Sequence, residues 1–285
     1  MRHATALRVG PVTFRIGSAR PAPIEALDSL YAGHPVPAAV PDFTVRLEPP
    51  RPWRRRLRPQ VGIAGDLTVP GAAPLPLAHA LLAAEMGMNL QLALGWRRHL
   101  LLHAAVVERD GRAAILTGES GAGKSTLAAL LAARGWRLLG DEFALFAPGT
   151  GLLHPHPRLV SLKNQSVAAV QAVTPGARWG PWLRGTPKGD IRHLVPDTAA
   201  LAGMDTSARP AVIVFPRFGC GAATRPVSAS EAFVRLTQAS TNYVAMGEAG
   251  FTALTRLVRA VPSVAVDYPD GAAGVAAVEA LWAAL

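Results

Sequence analysis

Cysteine, lysine, asparagine and tyrosine are the scarce residues of this 285-residue chain: one Cys and three of each of the others. The single Cys220 has no partner within the chain, which excludes a disulfide-stapled scaffold. Only 17% of the residues are charged against 50% hydrophobic, a balance that excludes global disorder and supplies a packed core. No run of about 18 apolar residues occurs, so no membrane-spanning helix is expected. At the start, Arg8 and Pro11 interrupt the chain before a signal-like apolar run develops, and a cytoplasmic protein is the expectation.

Positive charge is abundant but unevenly made. Lys plus Arg total 29 against 19 acidic residues, and only Lys124, Lys163 and Lys188 are lysines. A chain that defaults to Arg marks each Lys as a place where a compact point charge fits and a guanidinium fork does not. Arg46, Arg51, Arg54, Arg55, Arg56 and Arg58 gather around Trp53 and several prolines, as a solvated loop or partner-docking arm would. No helix-turn-helix, zinc or aromatic-sheet signature accompanies them, so a nucleic-acid partner is not expected.

Apolar periodicity predicts an α/β protein. Strands are expected over 5–17, 43–47 and 61–69, the last ending at Pro70-Gly71, with a helix over 24–31. Residues 74–96 have apolar positions at helical spacing, broken by polar residues, and predict an amphipathic helix. A buried strand over 100–107 and a returning strand over 112–117 flank Asp110-Gly111, a hairpin turn. A helix over 124–134 capped by Gly135 and a short strand over 136–139 follow. Further along come a helix near 163–173, a Gly/Pro-rich loop at 174–189 and a strand over 211–215 closed by Pro216. Helices near 230–239 and 251–260, a strand over 264–268 and an Ala-rich final helix complete the prediction. The division expected is an N-terminal accessory α/β region, 1–72, and a catalytic domain, 73–285.

One motif carries chemistry. Gly118-Glu119-Ser120-Gly121-Ala122-Gly123-Lys124-Ser125 satisfies G-x-x-x-x-G-K-[ST] at every fixed position, between a predicted strand and a predicted helix. Glycines let successive amides turn inward onto phosphate oxygens, and the helix start adds its positive end. Lys124 would meet the outer phosphates, Ser125 would ligate Mg2+, and Thr126 follows in the same turn. Asp141 stands 17 residues beyond Lys124, at a strand end that returns toward the loop. It can take a proton from an attacking hydroxyl or hold magnesium; Glu142 can take the role Asp141 does not, and a turn cap is the structural alternative. The apolar run before Asp141 is shorter than in ordinary P-loop ATPases.

His103-Ala104-Ala105-Val106-Val107, the loop, and Arg134-Gly135-Trp136-Arg137-Leu138-Leu139-Gly140-Asp141-Glu142 together resemble the catalytic core of bacterial HPr kinase/phosphorylase. Later segments (Leu162 to Ser166, Thr186 to Leu194, Ser240 to Tyr243) are similar to the HPr-kinase-related kinase A group and to kinases of lasso-peptide gene clusters. The resemblance implies a P-loop kinase core of the HPr kinase/PEP-carboxykinase-like type with a mixed sheet. It implies ATP and Mg2+ as cofactors and transfer of the γ-phosphate to a Ser hydroxyl. The acceptor would be a peptide or small protein, alone or with a peptide-chaperone protein; a homo-oligomer is compatible with it. By the same resemblance Asp141 is the base, with Ser125 and Glu142 at the metal. His103 is the strand histidine beside the loop, or else a half-buried histidine satisfied by backbone. Lys163, Lys188 and His193 are candidates to neutralise the transferring phosphate, and Asn164 and Asn242 are weaker ones.

Where HPr kinase/phosphorylase carries a Glu-Ile-Arg-Gly-like segment, this chain has Val160-Ser161-Leu162-Lys163-Asn164. That departure argues against reverse phosphorylase activity and against HPr as acceptor. Two other functions fit the residues: a kinase acting on a sugar or other small alcohol, and a nucleotide-responsive binding module.

Overall fold

Tight turns at Gly10 and at the Asp110-Gly111 pair decide how each half of the chain begins. The computed structural model describes residues 2–38, 40–68 and 72–285. The single strand expected over 5–17 is a hairpin, β1 (His3–Val9) and β2 (Val12–Ser18), joined at Gly10 and Pro11. Gly10 has φ 56°, and a Cβ there would lie 1.8 Å from the Pro155 carbonyl oxygen. Gly10→Ala therefore combines left-handed strain with a backbone clash, and should lower the melting temperature by roughly 10 °C. A thermal denaturation curve within about 1 °C of wild type would remove this account of the turn.

Helix α1 (Pro21–Leu30) crosses over to β3 (Phe43–Glu48), which runs parallel to β2. Strands β4 (Gln60–Gly65) and β5 (Leu75–Pro76) complete a sheet of order β1-β2-β3-β4-β5. The strand expected over 61–69 ends at Gly65; Val69, Pro70 and Gly71, which were to close it, lie outside the described residues.

The long predicted helix begins later than expected, as α2 (Ala80–Gly95), after β5 and a 3-10 turn at Leu77–His79. It is not an amphipathic surface helix but is covered on most sides. Gly87 lets it press onto β3, where a Cβ would come within 2.5 Å of Val45. Its buried polar residues are satisfied inside. Glu85 accepts from Tyr31 Oη at 2.8 Å and from Arg158 Nη2 at 2.5 Å, and the Gln91 amide bonds both polar groups of the Leu67 backbone. The core under this sheet draws on α2 and also on Leu101, Phe143, Leu145, Leu159 and Val195, so it is continuous across residue 72.

Beyond α2 the chain builds β6 (Leu100–Leu102), β7 (Ala104–Arg109), β8 (Arg112–Thr117), α3 (Lys124–Ala132), β9 (Arg137–Gly140), β10 (Ala144–Phe146) and β11 (Leu153–His154). It continues through β12 (Val160–Lys163), α4 (Gln165–Gln171), β13 (Trp179–Thr186), β14 (Gly189–Leu194), α5 (Thr198–Ala202) and β15 (Arg209–Phe218). The last elements are β16 (Ala223–Val227), α6 (Ala229–Ala239), α7 (Tyr243–Ala260), β17 (Ser263–Tyr268) and α8 (Gly271–Ala283).

The principal sheet has the order β16-β17-β15-β8-β7-β9, with β8, β15 and β17 parallel and the others antiparallel to their neighbours. Asp110 (φ 56°) and Gly111 (φ 76°) make the expected two-residue hairpin between β7 and β8. Alternation sorts the faces. Ala114, Leu116, Val212 and Val214 pack with Leu127, Leu131, Val275 and Val278 of α3 and α8. Ile115, Ile213 and Phe215 pack with Leu236, Leu254 and Leu257 of α6 and α7. The protein is a mixed α/β fold with helices on both faces of its main sheet. Among the described residues no helix is long and apolar enough to cross a membrane.

Three further expectations change. The run over 100–107 is two strands in two different sheets, separated at His103. The predicted loop at 174–189 contains β13, whose Gly180, Pro181 and Gly185 hide an irregular strand paired with β14. Strand β15 also runs through Pro216 to Phe218; β8 has already turned away there, so the missing N–H costs no ladder bond.

Candidate functional site

Strand β8 lies inside the principal sheet and delivers its chain, at the fully buried Thr117, into the glycine-rich loop. Gly121 (φ 87°) and Gly123 (φ 93°) hold left-handed conformations that turn the loop back onto α3. Space around the two differs. A Cβ on Gly121 would meet nothing within 4 Å, whereas one on Gly123 would lie 2.3 Å from Tyr268 Oη and 3.2 Å from Phe218 Cβ. The loop is thus open on one side and pressed on the other against the carboxyl ends of β15 and β17. Helix α3 starts at Lys124 with no side-chain cap and no acidic residue in its own first turn, so no carboxylate of the helix itself competes for its positive end.

Lys124 is nearly buried, and its ammonium donates to the carbonyls of Gly118 at 2.7 Å and Glu119 at 2.9 Å. Burial pushes its pKa down, opposed by the nearby charges of Asp141 and Glu142, while Lys163 adds to the lowering. One residue on, Ser125 Oγ donates to Asp141 Oδ1 at 2.9 Å. Asp141 follows β9 directly and is 2% exposed, and its Oδ2 is buried with no hydrogen-bond partner. Burial raises this carboxyl to about 7, and Glu142 pushes the same way; the Ser125 hydrogen bond works against both.

Glu142 adopts φ 74°, a left-handed conformation rare outside glycine, and this turns its carboxylate toward His103: Nδ1 to Oε2 is 3.7 Å. His103 occupies the break between β6 and β7, where its N–H bonds the Ala239 carbonyl and its own carbonyl accepts from Thr117 Oγ1. Burial lowers its pKa, with Glu142 opposing, and with Lys124 and Lys188 pushing it further down. At neutral pH the imidazole is therefore uncharged, and its contact with Glu142 is not an ion pair.

Loop, lysine, hydroxyl, paired acids and strand histidine are thus gathered at one end of the main sheet. Lys163 and Lys188 arrive from a separate three-stranded sheet, β12-β14-β13. Lys163 ends β12 just before Asn164, whose strained backbone (φ 50°) is held by Oδ1 accepting from Asp190 N at 3.1 Å. Lys188 is exposed in the β13–β14 turn, which Thr186 Oγ1 closes onto Gly189 O at 2.6 Å.

Two expected site residues are buried and bring no charge to the site. His193 is 1% exposed on β14, and burial lowers its pKa, so it is a neutral interior imidazole and does not join the cations. Asn242 is buried and spends its amide on backbone: Oδ1 accepts from Leu101 N, and Nδ2 donates to Trp96 O and His99 O. It clamps the α6–α7 junction to β6. Sequence reasoning missed Tyr268 and Phe218, which back the loop. Their only signal in the sequence is position, each ending a strand parallel to β8.

Among the described residues no three His, Cys, Asp or Glu side chains gather as a metal cage. A hydroxyl and a buried carboxylate with one oxygen unpartnered are nevertheless the hard-oxygen donors that suit Mg2+, which is commonly held by one or two carboxylates together with substrate phosphates.

Two local likenesses to known proteins accompany this geometry. The family model for SynChlorMet cassette protein ScmC matches residues 81–174, a stretch that contains the loop, Asp141, Glu142 and Lys163. The sn-glycerol-3-phosphate import ATP-binding protein UgpC of Chromohalobacter salexigens is 35% identical over 98 residues, 34% of this chain and 26% of that protein. The chain therefore matches about a quarter of the length of that curated relative.

Proposed function

We propose that this protein is an ATP-dependent phosphotransferase that moves the γ-phosphoryl group onto a hydroxyl, a Ser of a peptide or small protein. The observation that carries this is the 2.9 Å bond from Ser125 Oγ to Asp141 Oδ1, which ties the phosphate-loop helix to a buried, half-satisfied carboxylate. Adenine specificity comes from likeness alone: the curated relative is ATP-binding by its printed name, and the HPr-kinase-like motifs imply the same nucleotide.

Ser125 and Asp141 would hold Mg2+, with Glu142 next to them; the ion supplies positive charge that screens the β- and γ-phosphates. Amides of Gly121, Gly123 and Lys124 would bind the phosphates, with the Lys124 ammonium beside them. A carboxyl with a pKa of about 7 is matched to proton transfer near neutral pH. Asp141 takes the acceptor's proton as the acceptor oxygen bonds to the γ-phosphorus and the bond from phosphorus to the bridging oxygen breaks, releasing ADP. Lys163 and Lys188 lie close enough for their charges to act on Lys124 and His103, and would balance the negative charge on the transferring group.

Incubation with γ-labelled ATP, Mg2+ and Ser-containing peptides, followed by mass location of the phosphate, tests the proposal. A labelled Ser is the expected result. Label recovered only as inorganic phosphate, whatever acceptor is offered, would replace transfer with a nucleotide-responsive module that hydrolyses ATP. Label on a sugar or small alcohol in preference to every peptide would move the acceptor class.

A further inference from the structure

The arginine-rich segment singled out in the sequence has no role in the site above, yet it borders a cavity of about 700 Å³ beside the N-terminal sheet. This cavity opens at the carboxyl ends of the parallel strands β2 and β3, where an α/β crossover leaves a crevice for ligands. Arg2, Arg20, Arg51, Arg54, Arg55 and Arg56 line it, and the one carboxylate in its wall, Glu48, faces Arg46 at 3.3 Å. Among the described residues none of these six arginines has an ion-pair partner, although ten ion pairs form elsewhere or beside them.

Arg20 Nη2 donates to the Arg55 carbonyl, tying the arginine segment to the chain that follows β2. Between the guanidinium groups the wall is apolar, with Pro49, Pro50, Pro52, Pro59 and Leu77 lining it, so apolar contact is offered alongside charge. No phosphate-loop residue lines this cavity.

We infer that this cavity is a docking site for an acidic peptide segment carrying an apolar side chain. Guanidinium forks match carboxylates two bonds at a time, and the proline-bounded wall is already in shape to receive an extended chain. A cavity of this volume takes a few side chains. Single-stranded nucleic acid fits less well, because stacking needs open aromatic faces and, among the described residues, no aromatic side chain lines this cavity. An anionic lipid surface fits less well too, since it would meet the rim and leave the concave interior unused. Binding at this site requires no transfer chemistry.

Fluorescence anisotropy of a labelled Glu- and Leu-rich peptide against the full chain tests the inference. Binding should weaken steeply with added salt and fall at least about tenfold in an Arg51→Glu/Arg54→Glu/Arg55→Glu triple variant. The milder Arg→Gln triple variant should fall less, and circular dichroism should show all of them folded. Lys124→Ala should bind the same peptide as wild type does, which separates this site from the phosphate loop. Equal binding of a Lys-for-Glu peptide, or charge-reversed protein that binds as wild type does, would overturn the inference. Tighter capture of a single-stranded oligonucleotide or of phosphatidylserine vesicles than of the peptide would overturn it as well.

Discussion

Asp141→Asn should lower phosphoryl transfer by roughly two to four orders of magnitude while ATP binding measured without magnesium stays close to wild type. The amide keeps the shape of the carboxyl and can still accept from Ser125, but it can neither take the acceptor's proton nor offer a charged oxygen to a cation. A second readout is independent of turnover. Burial lifts the folded-state pKa of Asp141 to about 7 from an ordinary 3.8, so the folded protein favours the protonated form. The stability that this group contributes is complete below about pH 4 and is lost as pH rises through 7.

The Asn variant carries no such charge. It should melt several degrees above wild type near pH 8, with the gap narrowing below pH 7 and closing by about pH 4. Magnesium should raise the wild-type melting temperature at pH 8 and leave the variant where it was. Transfer rates and melting curves across pH check both halves. Near-normal transfer would end the base assignment, and a melting gap that ignored pH would show that the carboxyl is not confined as described.

Lys124→Ala should abolish detectable transfer and weaken ATP by about two orders of magnitude, as titration calorimetry would measure. The ammonium is held by two loop carbonyls, those of Gly118 and Glu119, in a position that is 8% exposed. Its loss removes the one cation inside the loop. Lys124→Arg is the sharper control. A guanidinium is larger, planar and forked, and this enclosed position fits a compact charge, so the Arg variant should retain no more than a few per cent of transfer. Circular dichroism should show both variants folded. An Arg variant with wild-type affinity would mean that charge alone, not its shape, is what the loop requires.

How much could be read in advance follows from the range of the interactions involved. The Asp110-Gly111 hairpin and the glycine-rich loop are local: positive φ at fixed offsets depends on a few neighbouring residues, and the folded chain has them where the spacing put them. Elements governed by distant partners were less visible. Apolar alternation through 5–17 runs on across Gly10, and the turn there is shaped by Pro155, far along the chain. Strand β13 carries Gly180, Pro181 and Gly185, and its pairing with β14 outweighs their poor strand propensity. Helix α2 looked amphipathic because Glu85 and Gln91 are polar, but Tyr31, Arg158 and Leu67 satisfy them in the interior.

The candidate site divides in the same way. By itself the sequence determined the α/β class, the phosphate-loop pattern from Gly118 to Ser125 and an acid pair at a following strand end. Each of these depends on residue type at short spacing and on backbone geometry that glycine alone makes cheap. Only the tertiary structure decided that Asp141 is buried with an unpartnered oxygen against Ser125, and that His103 meets Glu142. It also withdrew His193 into the interior as a neutral ring and set Tyr268 behind Gly123. Burial and through-space charge set those outcomes, and both depend on which surfaces meet once the sheets have packed.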